Sequence, residues 1–183
     1  MINDKTKISG QVRATVYDKD GNIKRRPRTW FQKLFGLPGS LMVSKWHNIV
    51  TDYGDALIAD LMANTPAKQK LDNLNAFVEV GTAWSATNPK QQNAGCHTPT
   101  GARKGMQATY PKVKGAFAAA DDNVIQYQAI FPAASLSATI NEAALLNASV
   151  SGECLAYGHI SPDAVVTSSD SLQIDWAITF TGA

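Results

Sequence analysis

Three histidines, two cysteines and scattered carboxylates are the residues of this chain that have the chemistry for metal binding or catalysis. Zinc sites take cysteine and histidine ligands in closely spaced pairs. Here Cys96 and His97 are adjacent without a second pair nearby, and Cys154 lies 58 residues beyond Cys96. His47 and His159 are isolated as well. We therefore predict no metal site, no disulfide framework and two unrelated free thiols.

Two sets of carboxylates suggest further sites. Glu142 and Asp175 are the type of pair that a glycoside hydrolase uses, although an outward-facing aspartate on a strand is ordinarily solvated. The segment 18–22 has oxygen ligands at alternate positions, as a calcium loop does, but Ile23 and Thr29 stand where that loop needs Gly and Glu. Its Asp-Gly pair instead favours a hairpin turn.

Nucleophile and phosphate motifs are missing from the sequence. No serine lies in a Gly-x-Ser-x-Gly elbow, and Gly101–Gly105 lacks the Gly-Lys-Ser/Thr ending of a phosphate loop. The sequence therefore predicts no enzyme activity, no catalytic residue and no cofactor.

The N-terminal quarter of the chain is strongly basic. Residues 1–46 carry a formal charge of +7 and residues 47–183 carry −5. Such asymmetry suggests that the front of the chain meets an acidic partner. In 24–35 a basic run precedes an aromatic cluster that fits one turn of amphipathic helix. The candidate partner-binding residues are Arg25, Arg26, Arg28, Trp30, Phe31, Leu34 and Phe35.

The segment 24–46 has three interpretations. It can be an arm that docks on a neighbouring subunit, or a solvated basic loop whose aromatic side chains cover the sheet. It can also bind single-stranded nucleic acid through phosphate contacts and base stacking. Because the patch is single and short, without repeated stacking positions, we predict no nucleic-acid partner. The first two interpretations stay open.

The clearest structural element is the stretch 170–180, where five large apolar residues alternate with small or polar ones. This period of two predicts an interior strand of a half-buried antiparallel sheet. Shorter strands are predicted at several other places, and a helix is predicted from Asp52 to about Asn64, capped by Asp52 or Asp55. The other predicted strands are 8–17, 46–51, 76–82, 124–131, 136–140 and 155–160, the last ended by Ser161-Pro162-Asp163.

The predicted fold is mainly β: an antiparallel β-sandwich or jelly roll with one short helix packed at an edge. The 183 residues suit a single domain, 1–183, with 24–46 as a basic and aromatic arm or insertion and 83–114 as a long loop. No apolar run approaches the ~18 residues of a membrane helix. The segment 1–7 has no apolar stretch, so we expect no secretory signal.

Five short motifs occur in a familiar order. They are Val16-Tyr17-Asp18-Lys19-Asp20-Gly21-Asn22, His47-Asn48-Ile49-Val50-Thr51-Asp52-Tyr53-Gly54, Phe77-Val78-Glu79-Val80-Gly81-Thr82, Thr139-Ile140-Asn141-Glu142-Ala143-Ala144-Leu145 and the closing 170–180. Together they resemble small β-sandwich virion structural proteins of tailed bacteriophages. The chain departs from that pattern at Ala83, where Val-Gly-Thr is usually followed by Gly.

The resemblance implies a non-enzymatic protein of the capsid surface, tail or fibre, assembled in the bacterial host cytoplasm. Its expected role is capsid decoration or cementing as a homo-oligomer, with a trimer favoured, and its partners are the major capsid protein or other virion proteins. A tail, neck or fibre-attachment protein is the alternative. From a different class, a carbohydrate-binding module would use Trp84, Trp30 or Tyr110 as stacking platforms.

Overall fold

The structure, a computed structural model, describes residues 7–115 and 121–181. Most of the segment 1–7, from which no secretory signal is expected, lies outside this part. The described chain forms one nine-stranded antiparallel sheet. The strands are β1 (Lys7–Tyr17), β2 (Val43–Val50), β3 (Phe77–Gly81), β4 (Pro99–Gly105), β5 (Lys112–Val113), β6 (Val124–Phe131), β7 (Ala138–Leu146), β8 (Cys154–Val166) and β9 (Ser171–Thr181).

The strands lie in the order β4-β3-β7-β8-β2-β1-β9-β6-β5. The sheet curls, so that strands far apart in this order approach one another: just after β4, the backbone N–H of Gln107 donates to the Gln128 carbonyl of β6 at 2.9 Å. The concave face encloses the core. The prediction of a mainly β chain with antiparallel strands is confirmed.

Strand β9 is an interior strand, as predicted. It pairs along its whole length with β1 on one side and over Leu172–Thr179 with β6 on the other. Leu172, Ile174, Trp176 and Ile178 are buried, and Phe180 packs against the same core. The large apolar residues that alternate in the sequence of β9 are therefore the ones on the inward face of the sheet.

The helices are α1 (Trp30–Leu34) and α2 (Asp52–Leu61), and a single 3₁₀ turn covers Pro89–Gln91. Helix α2 packs its Leu57 into the core at one end of the sheet. Its cap is Thr51, whose side chain accepts from the Gly54 N–H at 2.9 Å, so the expectation of an aspartate cap was wrong. Asp52 and Asp55 instead lie in the first turn, where carboxylates favour the helix dipole.

Several boundaries differ from the sequence-based expectation. The predicted arm 24–46 is shorter, because β2 already begins at Val43. The segment 83–114 is a loop only in part, because Pro99–Gly105 forms β4 beside β3 and Lys112–Val113 forms β5 beside β6. Strand β8 does not stop at Ser161-Pro162-Asp163 but runs through it. There the β7–β8 register jumps from Glu142↔His159 to Ile140↔Ala164, which is a bulge that accommodates the proline.

Ile174 tests the assignment of the core face. It is fully buried, so Ile174→Ala removes packed methyl groups and we expect a loss of about 2–5 kcal/mol in the free energy of unfolding. Val150 is 79% exposed, so Val150→Ala as the control should change it by less than about 0.5 kcal/mol. Urea denaturation measures both, and equal effects would contradict the burial pattern.

Candidate functional site

Residues 23–42, which we call the arm, leave the sheet after β1 and return before β2. The two sides of the arm pair with each other: the Met42 N–H donates to the Lys24 carbonyl at 2.7 Å, and the Arg26 N–H donates to the Ser40 carbonyl at 2.8 Å. The Lys24 N–H also donates to the Val16 carbonyl of β1 at 2.8 Å. The arm is therefore a β-ribbon fixed to the end of β1, with the segment 27–39 as its tip.

Helix α1 forms in the tip through local capping. The Thr29 hydroxyl accepts from the Gln32 N–H at 3.3 Å, and the Gln32 side chain accepts from the Thr29 N–H at 3.0 Å, which makes a capping box. Gly36 then ends the helix with a positive φ of 62°. The amphipathic turn predicted here is present, and none of its residues is buried.

The tip presents a cluster of exposed apolar side chains. Trp30 is 76% exposed and Leu34 is 68% exposed, and Phe31, Phe35 and Leu37 are exposed as well. Phe31 and Phe35 contact each other with ring centroids 4.6 Å apart. The aromatic side chains pack among themselves and do not cover the sheet. The interpretation as a solvated basic loop required them to cover it. The docking role of these residues stays a prediction.

Three of the basic residues hold the arm in place. Lys24 forms an ion pair with Asp170, whose side chain is 4% exposed. Arg25 Nη1 donates to the Gly39 carbonyl at 2.8 Å, across the ribbon. Arg26 donates to the carbonyls of Asp163 at 2.6 Å and Pro162 at 3.1 Å.

The β8 bulge explains why Arg26 binds there. Because four residues of β8 face a single residue of β7 between the two registers, the carbonyls of Pro162 and Asp163 lie outside that ladder. The Ser44 hydroxyl also donates to the Pro162 carbonyl. The proline that the sequence marked as a strand end thus supplies an anchoring point for the arm, a role that sequence reasoning missed.

Arg28 and Lys33 are placed differently from the anchoring residues. Both are exposed, and within 7–115 and 121–181 neither forms an ion pair. The predicted partner-binding set therefore divides in two. Arg25 and Arg26 make internal bonds, whereas Arg28 is exposed at the tip, two residues before helix α1 begins.

Asp170 is the acidic group that secures the base of the arm. Burial alone would raise its pKa, but hydrogen bonds from Lys24 and from the Thr167 hydroxyl and N–H hold that pKa below its usual value of 3.8. The carboxylate is therefore charged at neutral pH and keeps its partners.

A second polar cluster lies under the loop 83–98. Glu142 is fully buried and accepts from the backbone N–H groups of His97 at 2.9 Å and Thr98 at 2.8 Å, and from the Tyr157 hydroxyl. Next to it on β3, Glu79 accepts from the Cys96 N–H at 2.7 Å. These two carboxylates hold the loop against the convex face of the sheet.

Arg103 completes the cluster. Its Nε donates to Glu79 at 2.8 Å, and its terminal nitrogens donate to backbone carbonyls that include Ala94 at 3.0 Å and Ala148 at 3.1 Å. Every part of the guanidinium is thus bound within the chain. The carboxylates and the arginine are engaged structurally, which is the usual state of buried charges.

The sulfur and imidazole groups are no better arranged for catalysis. Burial raises the pKa of the Cys154 thiol to about 12, and burial together with the charges of Glu142 and Glu79 raises that of Cys96. Thiols held in the protonated form are poor nucleophiles and poor metal ligands. Among the described residues, no three His, Cys, Asp or Glu side chains cluster as metal ligands would.

Glu142 and Asp175 do not form a hydrolase pair. Glu142 lies on β7 and Asp175 on β9, with three strands between them in the sheet. At ~4.8 Å per strand they are about 19 Å apart along the sheet, well beyond the ~5–9.5 Å of glycosidase carboxylates. Asp175 is bound by the side-chain amides of Gln128 at 2.7 Å and Gln173 at 2.9 Å.

Two of the three proposed stacking platforms are already in contact with other side chains. Trp84 stacks on Tyr157 with ring centroids 4.5 Å apart and on His159 at 5.1 Å. The ammonium group of Lys112 lies 4.5 Å from the centroid of the Tyr110 ring. Of the three, Trp30 alone is mostly exposed.

Comparison with models of protein families, with curated proteins and with solved structures finds no match for this chain. In the described part of the chain, no helix has the length and apolar character needed to cross a membrane.

Substitution of Glu142 tests its role in holding the loop. Glu142→Ala removes the acceptor of two partly buried N–H groups, at up to about 1–3 kcal/mol for each, so we expect a loss of stability together with faster hydrogen exchange across 83–98. Asp163→Ala, on an exposed residue, is the control. Unchanged exchange in the loop of Glu142→Ala would show that other contacts hold it.

The pH dependence of stability tests the ion pair between Lys24 and Asp170. Because the folded-state pKa of Asp170 is lowered, its contribution is present above the unfolded value of 3.8 and is lost as pH falls through the lower folded value. Asp170→Asn should therefore lose roughly 1.5–3 kcal/mol at pH 7, and the gap to the native protein should shrink below about pH 4. Urea titrations over pH 2–7 measure this gap, with Asp175→Asn as the matched control. A difference in the free energy of unfolding that does not change with pH would rule out stabilisation by this ion pair.

Proposed function

We propose that this chain is a non-enzymatic structural protein of a tailed-phage virion, which keeps its place in the particle through the arm. The observation that carries the proposal is the exposure of Trp30 and Leu34 on a ribbon that is itself firmly anchored. A rigid element that presents large apolar side chains to solvent is what a docking surface requires.

The energetics favour docking over exposure. Burying one large apolar side chain contributes about 1.5–3 kcal/mol, so Trp30 and Leu34 together offer several kcal/mol to an interface. Trp and Arg are also the residues that most often dominate binding energy, and the exposed Arg28 lies two residues before Trp30 in the chain. In a symmetric particle each such contact is repeated, which turns modest affinity into stable attachment.

The buried acids and the thiols support a structural role. Glu79, Glu142 and Arg103 are bound within the chain, and the Cys96 and Cys154 thiols are held in their protonated form. These groups stabilise a rigid module that carries the arm. Decoration or cementing of the capsid surface is the position we favour, with the tail, neck or fibre attachment as the alternative within the same particle.

Incorporation into particles tests the proposal. We expect the double variant Trp30→Ser, Leu34→Ser to fold normally, because both residues are exposed, and to fall at least tenfold in copies per particle by quantitative mass spectrometry. Val150→Ser, which also removes an exposed apolar side chain, should be incorporated like the native protein. On the order of hundreds of copies indicates the capsid lattice, and roughly three to twelve indicates the tail axis. Absence of the native protein from particles would overturn the proposal.

A further inference from the structure

An apolar groove lies at the end of the sheet that is far from the arm. It runs between helix α2 and the adjoining ends of β6 and β9 and has a volume of about 300 Å³. Its walls include Ile58, Leu61, Ile125 and Phe180, which are only partly buried. Met62 on its rim is 83% exposed. Such a groove leaves apolar surface of the core in contact with water.

The arm and the groove sit at opposite ends of the same strand. Asp170, which binds Lys24 of the arm, directly precedes β9, whereas Ile178 and Phe180 at the other end of β9 line the groove. The 11 residues of β9 span roughly 30–35 Å at about 3.3 Å per residue. The anchored ribbon therefore holds its tip away from the groove of its own chain.

We propose that the tip of the arm of one copy inserts into this groove on a second copy, with Trp30 and Leu34 as the inserting side chains. The inference rests on the proposed docking function of the arm and names the partner. Residues spaced i and i+4 on a short helix lie on one face, which is how amphipathic helices enter apolar grooves.

The sizes of the two surfaces match. A cavity of ~150 Å³ is enough to hold one benzene ring, so a groove of about 300 Å³ has room for a large aromatic and a second apolar side chain. Met62 on the rim adds an unbranched, adaptable side chain of the kind that moulds to inserted partners.

The charges of the two surfaces are complementary. The tip carries Arg28 and Lys33 in solvent without ion pairs to the described residues, and the stretch 24–33 has no acidic residue. Near the groove, α2 carries Asp60, for which the described residues provide no ion pair, and Lys70 on the groove wall is paired with Asp72 at 3.3 Å. The last turn of α2, next to the groove, also presents the negative end of the helix dipole. Asp52 and Asp55 lie at the other, N-terminal end of α2, where Lys90 pairs with both, so they add no charge beside the groove. Opposite signs on two apolar surfaces favour their association and set its orientation.

The resulting contact is head-to-tail, because the inserting and receiving surfaces differ. Such an interface repeats from copy to copy and closes into a ring or continues as a filament, depending on the rotation between neighbours. Each copy in it uses its own arm on one neighbour and its groove on the other.

Mixing two variants tests this arrangement. The arm variant, Trp30→Ser with Leu34→Ser, keeps an intact groove, and the groove variant, Met62→Lys, keeps an intact arm and places a like charge against the basic tip. Both sets of residues are exposed, so the fold should be retained, and circular dichroism checks this. Sedimentation velocity under reducing conditions, from about 1 to 100 µM, measures the size of the species, with Val150→Ser as the control.

We expect the native protein and Val150→Ser to associate with rising concentration and each interface variant to stay monomeric. An equimolar mixture of the two variants should form species of two chains and no larger, since one working arm meets one working groove. Association of the groove variant alone, or a mixture that stays monomeric, would overturn the inference.

The test separates this inference from the proposed function. A native protein that stays monomeric throughout, but whose entry into particles still depends on Trp30 and Leu34, would overturn the second-copy groove as partner and leave the docking function standing. Head-to-tail association by a protein that is absent from particles would overturn the proposed virion function and leave the contact between copies standing. The first of these outcomes is also the one expected if the arm binds another virion protein instead of a second copy.

Discussion

The pairing of β9 with β1 and β6 is the constraint on which the rest of the molecule depends. Leu172, Ile174, Trp176 and Ile178 fix which face of three neighbouring strands is buried, since a slip by one residue would place all four in solvent. The same pairing sets the two ends of the molecule. The arm is fixed where β9 begins, and the groove opens where β9 ends.

Buried polar groups then decide which surface stays free. Glu142 and Glu79 bind backbone N–H groups of 96–98 and so close the loop onto the convex face of β3, β7 and β8. Trp84 packs there against Tyr157 and a small apolar cluster. Lys24 and Arg26 do the opposite for the arm: they fasten its base and leave its tip without a partner in the described chain. The contacts of Glu79 and Glu142 thus cover the convex face of the sheet, whereas those of Lys24 and Arg26 leave the tip of the arm exposed to solvent.

Sequence patterns predicted the elements that have one buried face. The alternation in β1, β6 and β9 is visible because their outer faces are polar, and the period identifies them without further information. Strand β7 is different. Ala144 and Leu146 pack under the loop while Ala143 and Leu145 face the core, so burial on both sides removes the alternation from this stretch. Strands β4 and β5 are polar and depend on pairing with β3 and β6, which no local pattern reveals.

The candidate site was predictable in part for the same reason. A basic run followed by Trp30, Phe31, Leu34 and Phe35 indicates an amphipathic turn, and the capping residues Thr29 and Gln32 are legible in the sequence. The sequence did not predict which of the basic residues anchor the arm and which stay exposed. This difference depends on Asp170 and on the carbonyls freed by the β8 bulge, both more than 130 residues away in the chain. Contacts at that separation come from the topology of the sheet.

The central claim is that the tip of the arm is a docking element, and crosslinking from the tip tests it most directly. Benzoylphenylalanine at position 30, photoactivated in the assembling host, reports whatever lies against that side chain. The account predicts crosslinks to another polypeptide, with residues 57–71 of a second copy as the expected peptide, and no such product from the same group at position 150. Crosslinks confined to the same chain, or none above the position-150 control, would contradict it.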